Sequence, residues 1–76
     1  MKRRLLHVIA DEIRNDWRKP YFGAAPYLHA MGRLAFMSDS DGHDTARGIV
    51  LYFLSNAKAW RGPVAKRIKS ELNSML

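Results

Sequence analysis

Three histidines are the side chains best suited to acid–base or metal chemistry in this sequence, which contains no cysteine. His7, His29 and His43 lie on three separate stretches, and nothing in their spacing suggests a metal site. His43 could form a dyad with Asp44, but adjacent residues near a helix start are more typical of capping. The sequence also lacks the HExxH, GxSxG and Walker-type motifs. We therefore predict no catalytic residue, no cofactor and no small-molecule substrate.

The acidic cluster at residues 38–44 is the second candidate for metal chemistry, because it carries three of the seven acidic residues. In an EF-hand loop the glycine is the sixth position, so Gly42 would require oxygen ligands at positions 37, 39 and 41 and a glutamate at 48. Met37 and Gly48 occupy the first and last of these positions. We predict no metal site and assign the aspartates to helix capping.

Basic residues are concentrated between positions 58 and 69 of a chain whose net charge is +6. A basic surface favours polyanionic partners and acidic protein surfaces, although it can also serve solubility alone. A helix, a short Gly-containing turn and a basic helix over residues 45–76 resemble a helix-turn-helix unit. The nucleic-acid-binding candidates are Lys58, Arg61, Lys66, Arg67 and Lys69.

An aromatic segment at residues 21–27 follows Pro20 and contains Gly23 and Pro26. Prolines and glycine mark a connection between helices, yet this one is more apolar than an ordinary exposed loop. Its aromatic side chains either fold onto the core or present an apolar patch to a partner. The partner-binding candidates are Tyr21, Phe22 and Tyr27.

The elements that position these candidate residues are predicted to be helices. The sequence predicts an all-α bundle of four helices as a single domain, residues 1–76. Apolar residues at helical spacing predict a central hydrophobic helix over residues 44–60, capped by Asp41 or Asp44 and ended by Gly62. The other helices are predicted at residues 2–18, 26–36 and 63–75. The core candidates are Leu6, Ile9, Ile13, Trp17, Leu28, Met31, Leu34, Ile49, Val50, Phe53, Leu54, Ile68 and Leu72.

Cellular location is predicted from what the sequence lacks. No apolar run approaches the 18 or so residues of a membrane span. The basic start of the chain resembles a signal peptide, but His7, Asp11 and Glu12 interrupt its apolar segment and no cleavage site follows. We predict a cytoplasmic protein without a membrane partner.

Three stretches of the chain resemble small uncharacterised proteins carried by bacteria, their phages and mobile elements. These stretches are residues 20–28 (PYFGAAPYL), residues 49–57 (IVLYFLSNA) and residues 60–62 (WRG). The resemblance covers most of the chain and implies a bacterial accessory protein rather than a metabolic enzyme. It names no family and assigns no functional residue.

The leading functional hypothesis is a small non-catalytic binding module that contacts another protein, and self-association through the same surface is compatible with it. The alternative hypothesis is nucleic-acid binding through the basic last helix.

Overall fold

The computed structural model describes residues 4–40, 42 and 44–76, and over these residues the chain forms four helices and no strand. They are α1 (Leu6–Asp16), α2 (Ala25–Met31), α3 (Ala46–Ser55) and α4 (Pro63–Met75). The predicted all-α bundle is confirmed. Helix α2 packs along α3, and α1 contacts both α2 and α4. None of the helices in the described residues has the length and apolarity needed to cross a membrane.

Helix α1 begins at Leu6, where another part of the chain satisfies its first free N–H groups. The backbone N–H of Leu6 donates to the carbonyl of Ala35 and that of His7 to the carbonyl of Leu34, each at 2.9 Å. This replaces a side-chain cap, which α1 lacks. The helix ends at Asp16, before the predicted residue 18, because Trp17 already leaves the helical conformation.

Helix α2 ends at Met31, five residues before the predicted end at residue 36. The backbone N–H groups of Arg33 and Leu34 make tighter i to i+3 bonds to Ala30 and Met31. The next two N–H groups bond to the Asp39 carboxylate, at 3.1 Å for Ala35 and 2.9 Å for residue 36. The backbone groups after Met31 therefore bond to the start of α1 and to the Asp39 turn, so they cannot make the hydrogen bonds that would continue the helix.

Helix α3 is shorter at both ends than the predicted span of residues 44–60. Its N-cap is Thr45, whose hydroxyl accepts from the Gly48 N–H at 3.1 Å, so the predicted Asp44 cap is wrong. The alternative cap, Asp41, lies outside the described residues. The helix stops after Ser55, where the Asn56 side-chain amide donates to the carbonyl of Tyr52 at 2.8 Å.

Helix α4 is confirmed at Pro63–Met75. It follows Gly62, whose φ of +113° is a conformation that residues with a Cβ rarely adopt. Proline in the first helical position needs no N–H partner and has its φ fixed near the helical value. The sequence therefore sets this boundary locally, without help from the rest of the fold.

The core contains eleven of the thirteen core candidates, while Trp17 and Leu54 are only half-buried against it. Phe53 of α3 is the largest side chain that is fully buried. Trp60 is also buried, although it lies beyond the end of α3. Its ring stacks on Trp17 at 5.8 Å between centroids and meets Phe53 edge-on at 6.2 Å. Its indole N–H donates to the carboxylate of Asp16 at 2.8 Å.

A network of ion pairs joins the start of the described chain to α1 and α4. The Arg4 guanidinium donates to both oxygens of Glu71, at 2.9 and 2.6 Å, and to Glu12 at 2.7 Å. Glu12 also accepts from Arg67. These hydrogen bonds hold the pKa of Glu71 and of Glu12 below their ordinary value of 4.5.

We predict that this network makes the protein acid-sensitive. Because the pKa of Glu71 is depressed in the folded state, its stabilisation is complete above 4.5 and is lost as the pH falls through the folded value. A Glu71→Gln variant should therefore be less stable at neutral pH and lose less stability on acidification. Urea unfolding at a series of pH values measures this. If the free energy of unfolding fell with pH by the same amount in both proteins, the Glu71 carboxylate would not be a source of the acid sensitivity.

Candidate functional site

Exposed aromatic and apolar side chains lie in the segment before α2 and on the outer face of α3, and together we call them the aromatic surface. Phe22 is 80% exposed, Tyr52 53%, Tyr21 47% and Leu51 46%. Tyr21 and Phe22 contact each other with ring centroids 4.7 Å apart. Tyr27, half-buried at the start of α2, stacks on Tyr52 at 5.3 Å. The aromatic surface therefore consists of Tyr21, Phe22, Tyr27, Leu51 and Tyr52.

Tyr21 is held beside the end of α3 by a tight turn. The N–H groups of Ala24 and Ala25 both donate to the Tyr21 carbonyl, at 2.8 and 3.1 Å. A Cβ at Gly23 would lie 2.5 Å from the Tyr21 ring and 2.8 Å from the side-chain oxygen of Asn56. A side chain at position 23 would therefore force the Tyr21 ring and the Asn56 amide to shift, so glycine permits the close approach of Tyr21 to the residue that follows α3.

The exposed face of α3 supplies the other half of the aromatic surface. Gly48, Leu51, Tyr52 and Ser55 follow one another at helical spacing and none of them is fully buried. Neither Leu51 nor Tyr52 was predicted as a partner-binding residue. The sequence contained a signal for their exposure, because the apolar residues of α3 form two stripes and only one of them packs in the core.

Positive charge borders the aromatic surface. Lys58 lines the same hollow as Tyr21, Ser55 and Asn56. Arg47 is exposed one helical turn before Leu51, on the same face of α3. The sequence contains no acidic residue from 17 to 38 or from 45 to 70, which are the stretches that carry this surface.

Of the partner-binding candidates, the structure thus places Tyr21 and Phe22 in the open and Tyr27 partly inside the fold. The sequence left two alternatives for the aromatic segment, packing onto the core or exposure to a partner, and each of them holds for different residues. Tyr27 packs against the core, whereas Phe22 presents an apolar patch.

The nucleic-acid-binding candidates do not form one free patch. The Lys69 ammonium donates to the carbonyls of Ala57 and Trp60, at 2.7 and 2.6 Å, and lies 5.8 Å from the centre of the Trp60 ring. Burial, together with repulsion from Arg61, lowers the pKa of Lys69. Its bonds satisfy two backbone carbonyls in the connection between α3 and α4, so Lys69 has a structural role.

We predict that Lys69→Met lowers the free energy of unfolding by about 2 kcal/mol, since hydrogen bonds to charged groups contribute on this scale. Lys66→Met is the matched control, because Lys66 lies on the same helix, is exposed and makes no such bond within the described residues. Chemical denaturation of both variants measures the difference. Equal stability of the two variants would contradict the structural role of Lys69.

The remaining basic candidates differ in their partners. Arg67 is paired with Glu12, while Lys58, Arg61 and Lys66 are exposed and make no ion pair among the described residues. The short turn predicted for the helix-turn-helix unit is wrong, because residues 56–62 separate α3 from α4. These two helices also lack the close backbone approach seen between the other neighbouring pairs.

Among the described residues, the histidines and acidic side chains form no group that could hold a metal ion. His29 is exposed, and His7 is partly buried in α1. His43, and with it the suggested dyad with Asp44, lies outside the described residues. The Asp39 carboxylate accepts the backbone N–H groups of Ala35 and Phe36, which explains its position without a cation.

Comparisons of the chain with protein-family models, curated proteins and solved structures gave no match. The resemblance to small bacterial and phage proteins therefore stays a prediction.

Proposed function

We propose that this protein is a small non-catalytic binding module that contacts another protein through the aromatic surface, in the cytoplasm of a bacterium. The observation that carries the proposal is the 80% exposure of Phe22 in contact with exposed Tyr21, together with the exposure of Tyr52 on the outer face of α3. Clusters of large exposed apolar side chains mark interaction sites, whereas single ones are ordinary. Aromatic side chains are also the residues that most often dominate binding energy at the centre of an interface.

The geometry of the aromatic surface suits binding because several of its parts are already fixed. Tyr21 is held between its own turn and Asn56, and Tyr27 and Tyr52 are stacked on each other. A partner does not need to order these side chains, so less conformational entropy is lost on association. Phe22, the most exposed member, would enter a pocket of the partner as the apolar anchor.

The charges around the aromatic surface favour a partner that is acidic. Arg47 and Lys58 border the surface, and no acidic residue lies in the stretches that build it. A second copy of this chain would bring like charges together, which weakens self-association. The proposed partner is therefore a different protein that carries apolar residues within an acidic rim.

The experiment compares three immobilised baits in lysate from the cells that naturally make the protein. The baits are the wild type, Phe22→Ser and Phe36→Ser. Phe36 is the matched control, because it is 59% exposed but lies beside Arg4 and Met75, away from the aromatic surface. We expect one acidic protein to be retained by the wild type and by Phe36→Ser and lost with Phe22→Ser. Equal retention by all three baits would contradict the proposal.

Nucleic-acid binding through the last helix has less support. Of its five candidate residues, Lys69 is bonded to backbone carbonyls and Arg67 to Glu12. Only Lys58, Arg61 and Lys66 are left to meet a phosphate.

A further inference from the structure

A hollow of about 290 Å³ lies where the end of α1 and the residues after it meet α2. Its lining residues are Arg14, Trp17, Arg18, Pro20, Ala25 and Leu28, none of which belongs to the aromatic surface. Four of the six are apolar and the other two are arginines. Sites for small organic ligands have this composition, a mostly apolar lining with a few polar groups, and begin at about this volume.

Trp17 gives the hollow an aromatic wall that the core leaves partly uncovered. Trp60 stacks on its ring at 5.8 Å and Phe53 meets it edge-on at 6.3 Å, yet Trp17 is only half-buried. Its indole N–H makes no hydrogen bond within the described part of the chain. Since no buried polar side-chain atom there lacks a partner, this N–H is within reach of solvent. Trp17 thus offers a ligand both ring surface and a free donor.

The two arginines give the hollow a positive charge that no described acid neutralises. Both are exposed, and neither makes an ion pair or a hydrogen bond among the described residues. No acidic side chain lines the hollow, and the carboxylate of Asp16, next to Trp17 in sequence, accepts from Trp60. Arginine keeps its charged end in water while its stem covers apolar surface, so the guanidinium groups lie at the rim.

Unpaired cations alone do not distinguish this hollow, since Lys58, Arg61 and Lys66 also lack ion pairs over the residues that the structure describes. The half-exposed indole does distinguish it. Arg61 and Lys66 line a different hollow together with Trp60, but Trp60 is only 2% exposed and its N–H is already bonded. Only at Trp17 do an accessible indole and unpaired arginines line the same hollow within the described chain.

An ionised carboxylate on an apolar group matches both parts of this lining. The apolar group removes the exposed part of the Trp17 ring from water, and a guanidinium can donate two parallel hydrogen bonds to the two carboxylate oxygens. A phosphate monoester fits less well, because it brings nearly two charges and three strongly hydrated oxygens. The only polar side chains that line the hollow are the two arginines and the indole.

We infer that this hollow binds a small organic acid as its carboxylate. The apolar or aromatic group of the acid lies against Trp17, and its carboxylate accepts hydrogen bonds from Arg14 or Arg18 at the rim. The acid is a ligand and not a substrate, because none of the lining side chains is a nucleophile or a general base. This site does not depend on the protein-binding role of the aromatic surface.

The test titrates the protein with phenylpropionate and follows its backbone amide and indole signals by NMR. Phenylpropanol, which has the same ring without the charge, and phenyl phosphate are the comparison ligands. The test variant is Arg14→Gln/Arg18→Gln, and Arg47→Gln/Arg61→Gln removes two charges from exposed arginines outside the hollow. A second variant, Ala25→Phe, fills the hollow and keeps both arginines. Circular dichroism verifies that all three variants fold.

We expect phenylpropionate to shift the signals of residues 14–18 and 25–28 with a dissociation constant of about 1 mM, as is ordinary for a ligand of this size. Phenylpropanol should bind the wild type about 10-fold more weakly, and so should phenylpropionate the test variant, because a charge-assisted hydrogen bond is lost. The Arg47/Arg61 variant should bind as the wild type does, and Ala25→Phe should abolish binding.

Four results would overturn the inference. The first is the absence of a saturable shift, and the second is equal binding of phenylpropanol, which would leave the arginines without a role. Equal weakening in the two double arginine variants would indicate general charge attraction. Tighter binding of phenyl phosphate than of phenylpropionate would show that the hollow selects a different class of anion.

Discussion

Replacing Trp60 with alanine should lower the free energy of unfolding by about 3–5 kcal/mol, the range for truncation of a large buried aromatic side chain. Trp60 is buried although it lies in the connection between α3 and α4. Its removal would leave a cavity against Trp17 and Phe53 and would abolish the hydrogen bond to Asp16.

A loss of this size would bring the protein close to unfolding. A domain of 76 residues has a total stability of roughly 4–11 kcal/mol at the usual value per residue. The melting temperature should fall by about 12 °C or more, since each kcal/mol shifts it by several degrees in small domains. Trp60→Phe is the intermediate variant, because it keeps one ring in the core but loses the second ring and the indole N–H, and it should cost less stability than Trp60→Ala. If Trp60→Ala lowered the free energy of unfolding by less than about 1 kcal/mol, it would behave like a surface substitution and contradict this role of Trp60.

The second large effect concerns binding. Replacing Phe22 and Tyr52 together with serine should weaken affinity for the partner by about 1,000-fold, because two central anchors of about 2 kcal/mol each are removed and about 1.4 kcal/mol is tenfold in affinity. Both side chains are more than half exposed, so the free protein should keep its fold. Calorimetric titration of the captured partner measures the change, and circular dichroism measures the helix content.

A matched double variant shows whether the loss belongs to the aromatic surface. Val8→Ser/Phe36→Ser removes two other exposed apolar side chains. It should bind the partner as the wild type does. Similar losses in both double variants would mean that general surface hydrophobicity, and not the aromatic surface, determines the affinity.

The sequence predicted the fold well where signals are local. Helix α4 starts and ends as predicted, because Gly62 and Pro63 set its start and its apolar spacing is regular. Helix ends set by distant parts of the chain were missed. The carbonyls of Leu34 and Ala35 cap α1, which the spacing of residues along the chain cannot show. Trp60 was not among the core candidates, and the structure buries it in the connection after α3 rather than within the longer helix that was predicted.

The candidate site was predicted only in part, for a related reason. Tyr21 and Phe22 were recognised as an unusual aromatic segment, and they are exposed. Tyr52 was predicted neither as a core residue nor as a partner-binding residue, whereas it faces outward and stacks on Tyr27 in the aromatic surface. Lys69 was grouped with other cations by sequence proximity, but the fold turns its ammonium towards two carbonyls. Which cations have partners depends on contacts between distant residues.

Photo-crosslinking in living cells tests the central claim most directly. A benzophenone amino acid in place of Phe22 keeps an aromatic ring on the aromatic surface and reacts with whatever lies against it, and the same residue in place of Phe36 is the control. We expect irradiation to join position 22, but not position 36, to one other protein, which mass spectrometry identifies. No adduct at position 22, or an adduct of twice the protein's own mass, would contradict the account of a surface that binds a different protein.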